Sequence, residues 1–361
     1  MRVFHCDHCR LPVFFENTIC GSCGHKLAYL PDLKLVASLD PLPADADTPA
    51  SEQLWTSPVP RAKDRTYRLC ENNTRYNICN WAVPSDDPNP LCQSCRLTRI
   101  IPDLSRDGNQ NAWRRLESAK QRLVYTLLEL NLPFRAKSED PRMGLAFQFM
   151  GDVNGGPRVL TGHDNGVITV NIDEADDVVR EGRRISMHEP YRTLLGHFRH
   201  EIGHYYWDLL IRDSIDIDAF RQTFGDERMD YDLALRDYYA RGPAANWNDR
   251  FVSAYASVHP WEDWAETWAH YLHMTDTLET AAACGLSLKP DRPDEPAMEK
   301  QPKKPIHQQS FNEIIENWFP LTYVLNSLNR GMGLADAYPF ILSAPVVDKL
   351  RFVHQAICKS S

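Results

Sequence analysis

A chain of 361 residues, 43% hydrophobic and 25% charged, has room for two or three folding units and the apolar content of an ordinary globular protein. Its formal net charge of −9 argues against a dedicated binder of nucleic acid or of an anionic membrane. No run of roughly eighteen apolar residues is present and the N-terminus has no apolar export-signal core, so no membrane span is expected and the expected compartment is the cytoplasm.

Eight of the ten cysteines fall in the first hundred residues, which in a chain without an export signal reads as metal binding before disulfides. Cys6-x2-Cys9 and Cys20-x2-Cys23 form two knuckles, each aiming two thiolates at one ion. Four thiolates fill a tetrahedron and leave no place for substrate, so residues 1–35 are expected to be a zinc ribbon with a structural ion; a rubredoxin-like iron site fits the same spacing. His5, His8 and His25 are expected to be bystanders. Residues 36–64, rich in Pro, Ala and Asp, read as a linker. Cys70, Cys79, Cys92 and Cys95 suggest a second four-cysteine module over 65–105, although only its second half has knuckle spacing and buried free thiols are the alternative. Residues 1–100 hold eleven Lys plus Arg against eleven Asp plus Glu, which gives no basic footprint for nucleic acid. Cys284 and Cys358 have no partners in the pattern and are expected only to pack.

Residues 106–361 read as an α+β domain. A helix is predicted over 109–131, with Leu116, Leu123, Leu127 and Leu130 on one stripe, ended by Pro133. GLAFQFM predicts a strand, and Asn165-Gly166 predicts the turn of a hairpin whose second strand alternates over 167–172. A helix follows over about 189–210, then two further helical stretches, a helical segment at 255–275, and a charged, proline-rich loop at 289–305. Ser310 and Glu313 form a capping box for a helix that stops before Gly331, and a last helix covers about 344–357.

His200 and His204 are four apart, so on a helix both imidazoles face one tetrahedral Zn²⁺. Glu201 is offset around the helix, a poor ligand but well placed to take a proton from water, which is the logic of H-E-x-x-H. Leu194, Leu195, Phe198, Ile202, Leu209 and Leu210 offer apolar surface, and Gly203 removes bulk beside the site. Two histidines at this spacing also occur as hydrogen-bonded core residues. His197 is not needed by the motif. Asp208, four after His204, is a candidate to orient that imidazole from behind, or is a solvated helix residue. A catalytic zinc needs a third ligand, and YYWDLL after His204 supplies none. The segment from Tyr255 to His273 is the best source: Pro260 suits a first helical turn, Glu262 and Asp263 suit the positive end of the dipole, and Glu262 and Glu266 share a face. Trp261, Trp264 and Trp268 accompany them.

HEIGH followed by Tyr-x6-Glu-x2-Ala-Glu resembles the gluzincin peptidases, and especially the site of anthrax lethal factor. That resemblance implies Glu262 as third ligand, Glu266 as a carboxylate behind a ligand imidazole, and Tyr255 as donor to the transition state. More broadly, the N-terminal knuckles, Cys79-Asn80-Trp81, the Cys92 to Leu97 segment, Ile101 to Leu104, Arg199 to Trp207 and His259 to His273 are similar to a bacterial family of zinc-binding metallopeptidases with an N-terminal zinc ribbon. The implied protein is a zincin-like peptidase with one catalytic and two structural zinc ions, acting on a peptide or protein substrate. In it, Glu201 serves as general base, and the strand before the helix could pair with extended substrate. Two other readings stay open: a non-catalytic, zinc-stabilised interaction module, and a zinc hydrolase of a non-peptide amide.

Overall fold

The computed structural model describes residues 1–45, 47–152, 155–156, 158–187, 193–299 and 305–360. Strands β1 (Phe4–His5) and β2 (Pro12–Val13) form a small antiparallel ladder across the first knuckle. Then β3 (Lys26–Leu30), β4 (Leu35–Pro41), β5 (Leu54–Thr56), β6 (Tyr67–Leu69) and β7 (Ala82–Pro84) make a five-stranded antiparallel sheet in sequence order. The expected linker therefore holds β4 and β5. Its Pro- and Ala-rich composition concealed a buried run, Val36, Ala37 and Leu39, on β4. A one-turn helix, α1 (Glu71–Thr74), follows Cys70.

β8 (Thr98–Ile100) leaves the second cysteine set and joins a different sheet. That sheet runs β10-β11-β9-β8, with β9 (Ala146–Met150) parallel to both neighbours, and β10 (Gly162–Asp164) antiparallel to β11 (Val167–Asn171). The hairpin turn is as expected: Asn165 and Gly166 take φ of 48° and 79°, the left-handed pair that suits the strand twist. β11 stops one residue early because the Asn171 side chain accepts from Asp173 N and starts a tight helical turn at Ile172. β11 also has a neighbour on each side, so the expected pairing of substrate with it is blocked. The outer strand of the hairpin is β10.

α2 (Asn109–Glu129) buries its leucine stripe against this sheet and the helices behind it. α3 (Asp177–Met187) and α4 (Leu194–Leu210) follow. α4 begins later than the predicted 189, because Thr193 accepts from Gly196 N at 2.9 Å and caps the helix; positions 189–192 lie outside the described residues. α5 (Ile217–Phe224) and α6 (Tyr231–Arg241) are the two intervening helices. The long α7 (Pro260–Cys284) starts on a His259 cap and ends at left-handed Gly285. α8 (Phe311–Gly331) opens with the predicted capping box and runs through Gly331, and α9 (Ala344–Ser360) closes the chain. In the expected 289–305 loop, Leu288 and Met298 exchange backbone hydrogen bonds and Met298 is buried; positions 300–304 lie outside the described residues.

Among the described residues the larger apolar core runs from Phe4 to Ile357, and a smaller one, with Leu30, Leu39 and Tyr67, lies on the five-stranded sheet. The aromatic hinge of the larger core is Phe15, Tyr29, Trp81 and Tyr125, with ring centres 4.5–6.4 Å apart, so the cysteine-bearing sheet and α2 share one packed interior. α4 and α7 approach to backbone contact. A Cβ on Gly203 would lie 3.0 Å from Ala265 Cα and 3.2 Å from Trp268 Cβ, and Trp264 Nε1 donates to the Gly203 carbonyl at 2.8 Å.

Candidate metal centres

Each cysteine set closes on a point. Cys6, Cys9, Cys20 and Cys23 have their sulfurs within 4.8 Å of one another, with Cys6–Cys23 and Cys9–Cys20 at 3.5 Å. Four thiolates around one zinc stand about 3.8 Å apart, whereas a disulfide would need about 2 Å. Cys6 and Cys20 are buried while Cys9 and Cys23 are exposed. Cys70, Cys79, Cys92 and Cys95 converge in the same way, with Cys79–Cys92 at 3.6 Å, but here all four are buried. Backbone N–H groups of Trp81, Cys92 and Cys95 point at sulfurs at 3.3–3.4 Å.

Four buried thiolates on a divalent ion leave two negative charges in a dry interior, so a nearby cation is needed. Lys120 supplies it: its side chain is fully buried, 2.7 Å from Glu117. Burial pulls its pKa down, but Glu117, Cys95 and Cys92 outweigh this and hold it above the ordinary lysine value. Sequence reasoning missed Lys120. The signal was its place on the apolar stripe of α2, one turn after Leu116, where a solvated lysine has no business.

His8, His25 and Asp40 also cluster, beside the first cysteine set. Two imidazoles on one tetrahedral ion place their ring centres about 5 Å apart. His8 and His25 instead stack at 3.5 Å and share Asp40, which makes them a stacked pair on a carboxylate.

The third centre is built by α4 and α7. His200 Nε2 and His204 Nε2 lie 3.2 Å apart with ring centres at 4.9 Å, the separation just given for two ligands of one ion. Glu262 Oε2 is 3.0 Å from His200 Nε2 and 3.6 Å from His204 Nε2. Tetrahedral zinc with N and O donors sets such edges at about 3.3 Å. Among the described residues, Glu262 Oε2 is buried with no hydrogen bond and faces only the two imidazole nitrogens, an arrangement that suits an atom shared with a cation. Glu266 Oε1 lies 2.6 Å from His200 Nδ1, and its Oε2 accepts from Ser253 Oγ at 2.6 Å, so the His200 ring is fixed from behind. Burial favours neutral forms at all these groups. Despite it, the two glutamates hold His200 well above the ordinary histidine range, while His204 and His200 hold Glu262 well below the ordinary carboxylate range. Two carboxylates in a dry cleft thus call for positive charge, and a dication fits the donor set.

The remaining predicted residues divide. Glu201 is buried beside the centre, and its charge helps to raise the pKa of Tyr231. Tyr255 stands in the turn before α7 with its ring centre 6.0 Å from that of His200. Asp208 does not reach His204: it pairs with Arg212 one turn on, and His204 Nδ1 has no hydrogen-bond partner among the described residues. An i,i+4 arginine is the nearer and stronger partner for that short side chain. His197 faces Glu174 at 3.4 Å and is not among the residues that converge on the centre. Trp261 covers His204, ring centres 3.8 Å apart. Tyr231, which the sequence reading passed over, donates to Glu262 Oε1 at 2.7 Å; it comes from α6, thirty-one residues upstream, and no local spacing announces it.

Comparison with known proteins agrees with this geometry. A family model described as "Putative zinc-binding metallo-peptidase" matches residues 109–356, and a zinc-ribbon domain model matches residues 3–106. Uncharacterized proteins of Mycobacterium tuberculosis and Mycobacterium bovis are 44% identical over 359 residues, covering 99% of this chain and 95% of each relative. No solved structure matches the chain. The zinc-ribbon match spans both cysteine sets, the metallopeptidase match spans both metal-facing helices, and the chain belongs to this bacterial family, in which a metallopeptidase-like domain follows an N-terminal zinc ribbon.

Proposed function

We propose that the protein is a zinc-dependent peptidase of gluzincin type, with one catalytic ion on His200, His204 and Glu262 and one structural ion in each cysteine set. The observation that carries this reading is the convergence of three donor atoms, His200 Nε2, His204 Nε2 and the buried Glu262 Oε2, 3.0–3.6 Å apart, with Glu201 beside them. Three protein donors leave a tetrahedral position open, whereas each cysteine set closes its own.

Zinc held there supplies Lewis-acid polarisation of a carbonyl and lowers the pKa of water. The chain's own groups do the rest. Glu201 takes the water's proton and later passes it to the leaving amine. Tyr255 donates to the oxygen that gains charge as the carbonyl becomes tetrahedral. Glu266 keeps the His200 Nε2 lone pair aimed at the ion by accepting from Nδ1. Substrate in extended form would add antiparallel to β10, the outer hairpin strand, whose His163 has its ring centre 6.3 Å from that of His204.

The test is metal content per chain by elemental analysis, with cleavage of a mixed peptide library read by mass spectrometry. Wild type should hold about three zinc ions and His204→Ala about two, as the donor count requires. Glu201→Gln should keep about three and lose cleavage. Unchanged metal in His204→Ala, or full cleavage by Glu201→Gln, would sink the reading.

A further inference from the structure

The two oxygens of Glu262 have different surroundings. Oε2 faces the two imidazoles, whereas Oε1 accepts the Tyr231 hydroxyl at 2.7 Å. Tyr231 opens α6, a helix with no fully buried residue, which packs on the turn before α7 through half-buried Tyr238, its ring centre 5.9 Å from that of Tyr255. His259 adds a tie of its own. His259 Nδ1 accepts from Trp261 N at 3.1 Å and caps α7, which leaves the proton on Nε2, and Nε2 donates to the Met229 carbonyl at 3.1 Å. One buried imidazole thus ties the first turn of α7, which carries Glu262, to the chain just before Tyr231. The Tyr231 ring is further held between His259 and Trp261, with centres 5.4 and 5.9 Å away.

We propose that Tyr231 is a positioning residue of the α4–α7 centre: its O–H holds Glu262 Oε1 away from the ion, so that Glu262 ligates through Oε2 alone and the remaining coordination position stays free for water. This rests on the reading of His200, His204 and Glu262 as ligands. A carboxylate with both oxygens free can swing to chelate an ion with both, which fills the place a nucleophilic water needs. A hydrogen bond from a protein donor to the outer oxygen opposes that swing and fixes the ligand's orientation before the ion arrives.

Tyr231→Phe removes the hydroxyl and keeps the ring that packs on His259 and Trp261, so folding should survive; retention of the two cysteine-bound ions in the same sample checks it. The full chain is titrated with zinc against a competing chelator, and the visible spectrum is taken with cobalt in the α4–α7 centre. Tyr231→Phe should weaken zinc at that centre by about 10-fold or more, and its cobalt bands should lose intensity, as five-coordinate cobalt absorbs less than four-coordinate. Tyr255→Phe, which removes a hydroxyl that does not bond Glu262, should leave affinity and bands as in wild type. Wild-type affinity and spectrum in Tyr231→Phe would overturn the inference, and with lost cleavage would make Tyr231 a substrate contact instead. Failure of the underlying reading looks different: His204→Ala would then keep its zinc whatever Tyr231→Phe does.

Discussion

On the function proposed, the cysteine centres and the α4–α7 centre solve opposite problems with the same ion. In the first hundred residues, four like donors come from short turns and close around a point, and the second set is sealed among Trp81, Lys120 and Glu117. Between α4 and α7, two kinds of donor come from helices sixty residues apart, and three further side chains, Glu266, Ser253 and Tyr231, hold those donors in place. Closed coordination gives stability and needs little support. Open coordination gives reactivity, and its geometry must be imposed by neighbours because a missing ligand no longer imposes it.

The contrast can be broken most forcefully at its closed end. Cys79→Ser should remove a fully buried ion whose binding in small zinc modules is worth about 10–16 kcal/mol. The chain should lose one zinc and its cooperative thermal transition, whereas Cys9→Ser, at a solvent-exposed ligand, should lose far less stability. An equal loss in both would mean that burial of the second set confers no advantage. At the open end, Glu201→Gln should lower cleavage by about 10²–10⁴-fold while thermal stability and zinc content stay unchanged; a parallel loss of zinc would assign Glu201 to ligation.

A third effect concerns the packing behind α7. His270 is buried, accepts or donates at Nδ1 to the Tyr338 hydroxyl at 3.0 Å, and is pulled down to about 4 by burial, with Arg199 adding to the effect and Glu266 opposing it. Its folded pKa lies below the free value of 6.5, so the fold excludes the charged ring. Its contribution is therefore complete above pH 6.5 and is lost as pH falls through 4, by up to roughly 3 kcal/mol for a shift of this size. His270→Gln should flatten that part of the acid limb in urea unfolding at pH 7, 5.5 and 4.5; an acid limb identical to wild type would show that His270 takes up its proton in the fold. The smallest effect belongs to Glu266→Ala, which frees the back of His200 and should weaken zinc at the open centre by about 10–100-fold with no change at the cysteine sets.

Legibility in the sequence follows the same division. Knuckle spacing, the helical pair His200 and His204, the capping box at Ser310 and the Asn165-Gly166 turn are local patterns whose physics fits within a few residues, and the structure places each where the pattern puts it. Glu262 needed helix geometry together with a resemblance, because its partners are sixty residues away. Tyr231 acts across the fold on a ligand and leaves no spacing to read, whereas Lys120 was legible only as a charged residue on the apolar stripe of α2, with nothing local to say what it faces. The stretch at 36–64 misled for another reason: Pro and Ala signal a linker in isolation, but β4 and β5 find neighbours in β3 and β6 that no window of that segment contains. Asp208 satisfied the spacing for His204, but Arg212 satisfied Asp208 first.

The backbone contact at Gly203 has a bearing on ion choice. His200 and His204 ride on one helix and Glu262 on the other, so the distance between donors is the distance between two rods pressed together at Gly203 and Ala265 and pinned by the Trp264 indole. An ion of larger radius must spread that whole contact, with the stacked Tyr206 and Trp268 rings behind it, before all three donors can touch it. With an ion on His200, His204 and Glu262 as proposed, selection by size would follow from helix packing, and a methyl group added at Gly203, 3.0 Å from Ala265 Cα, would retune the site from its far side without touching a single ligand.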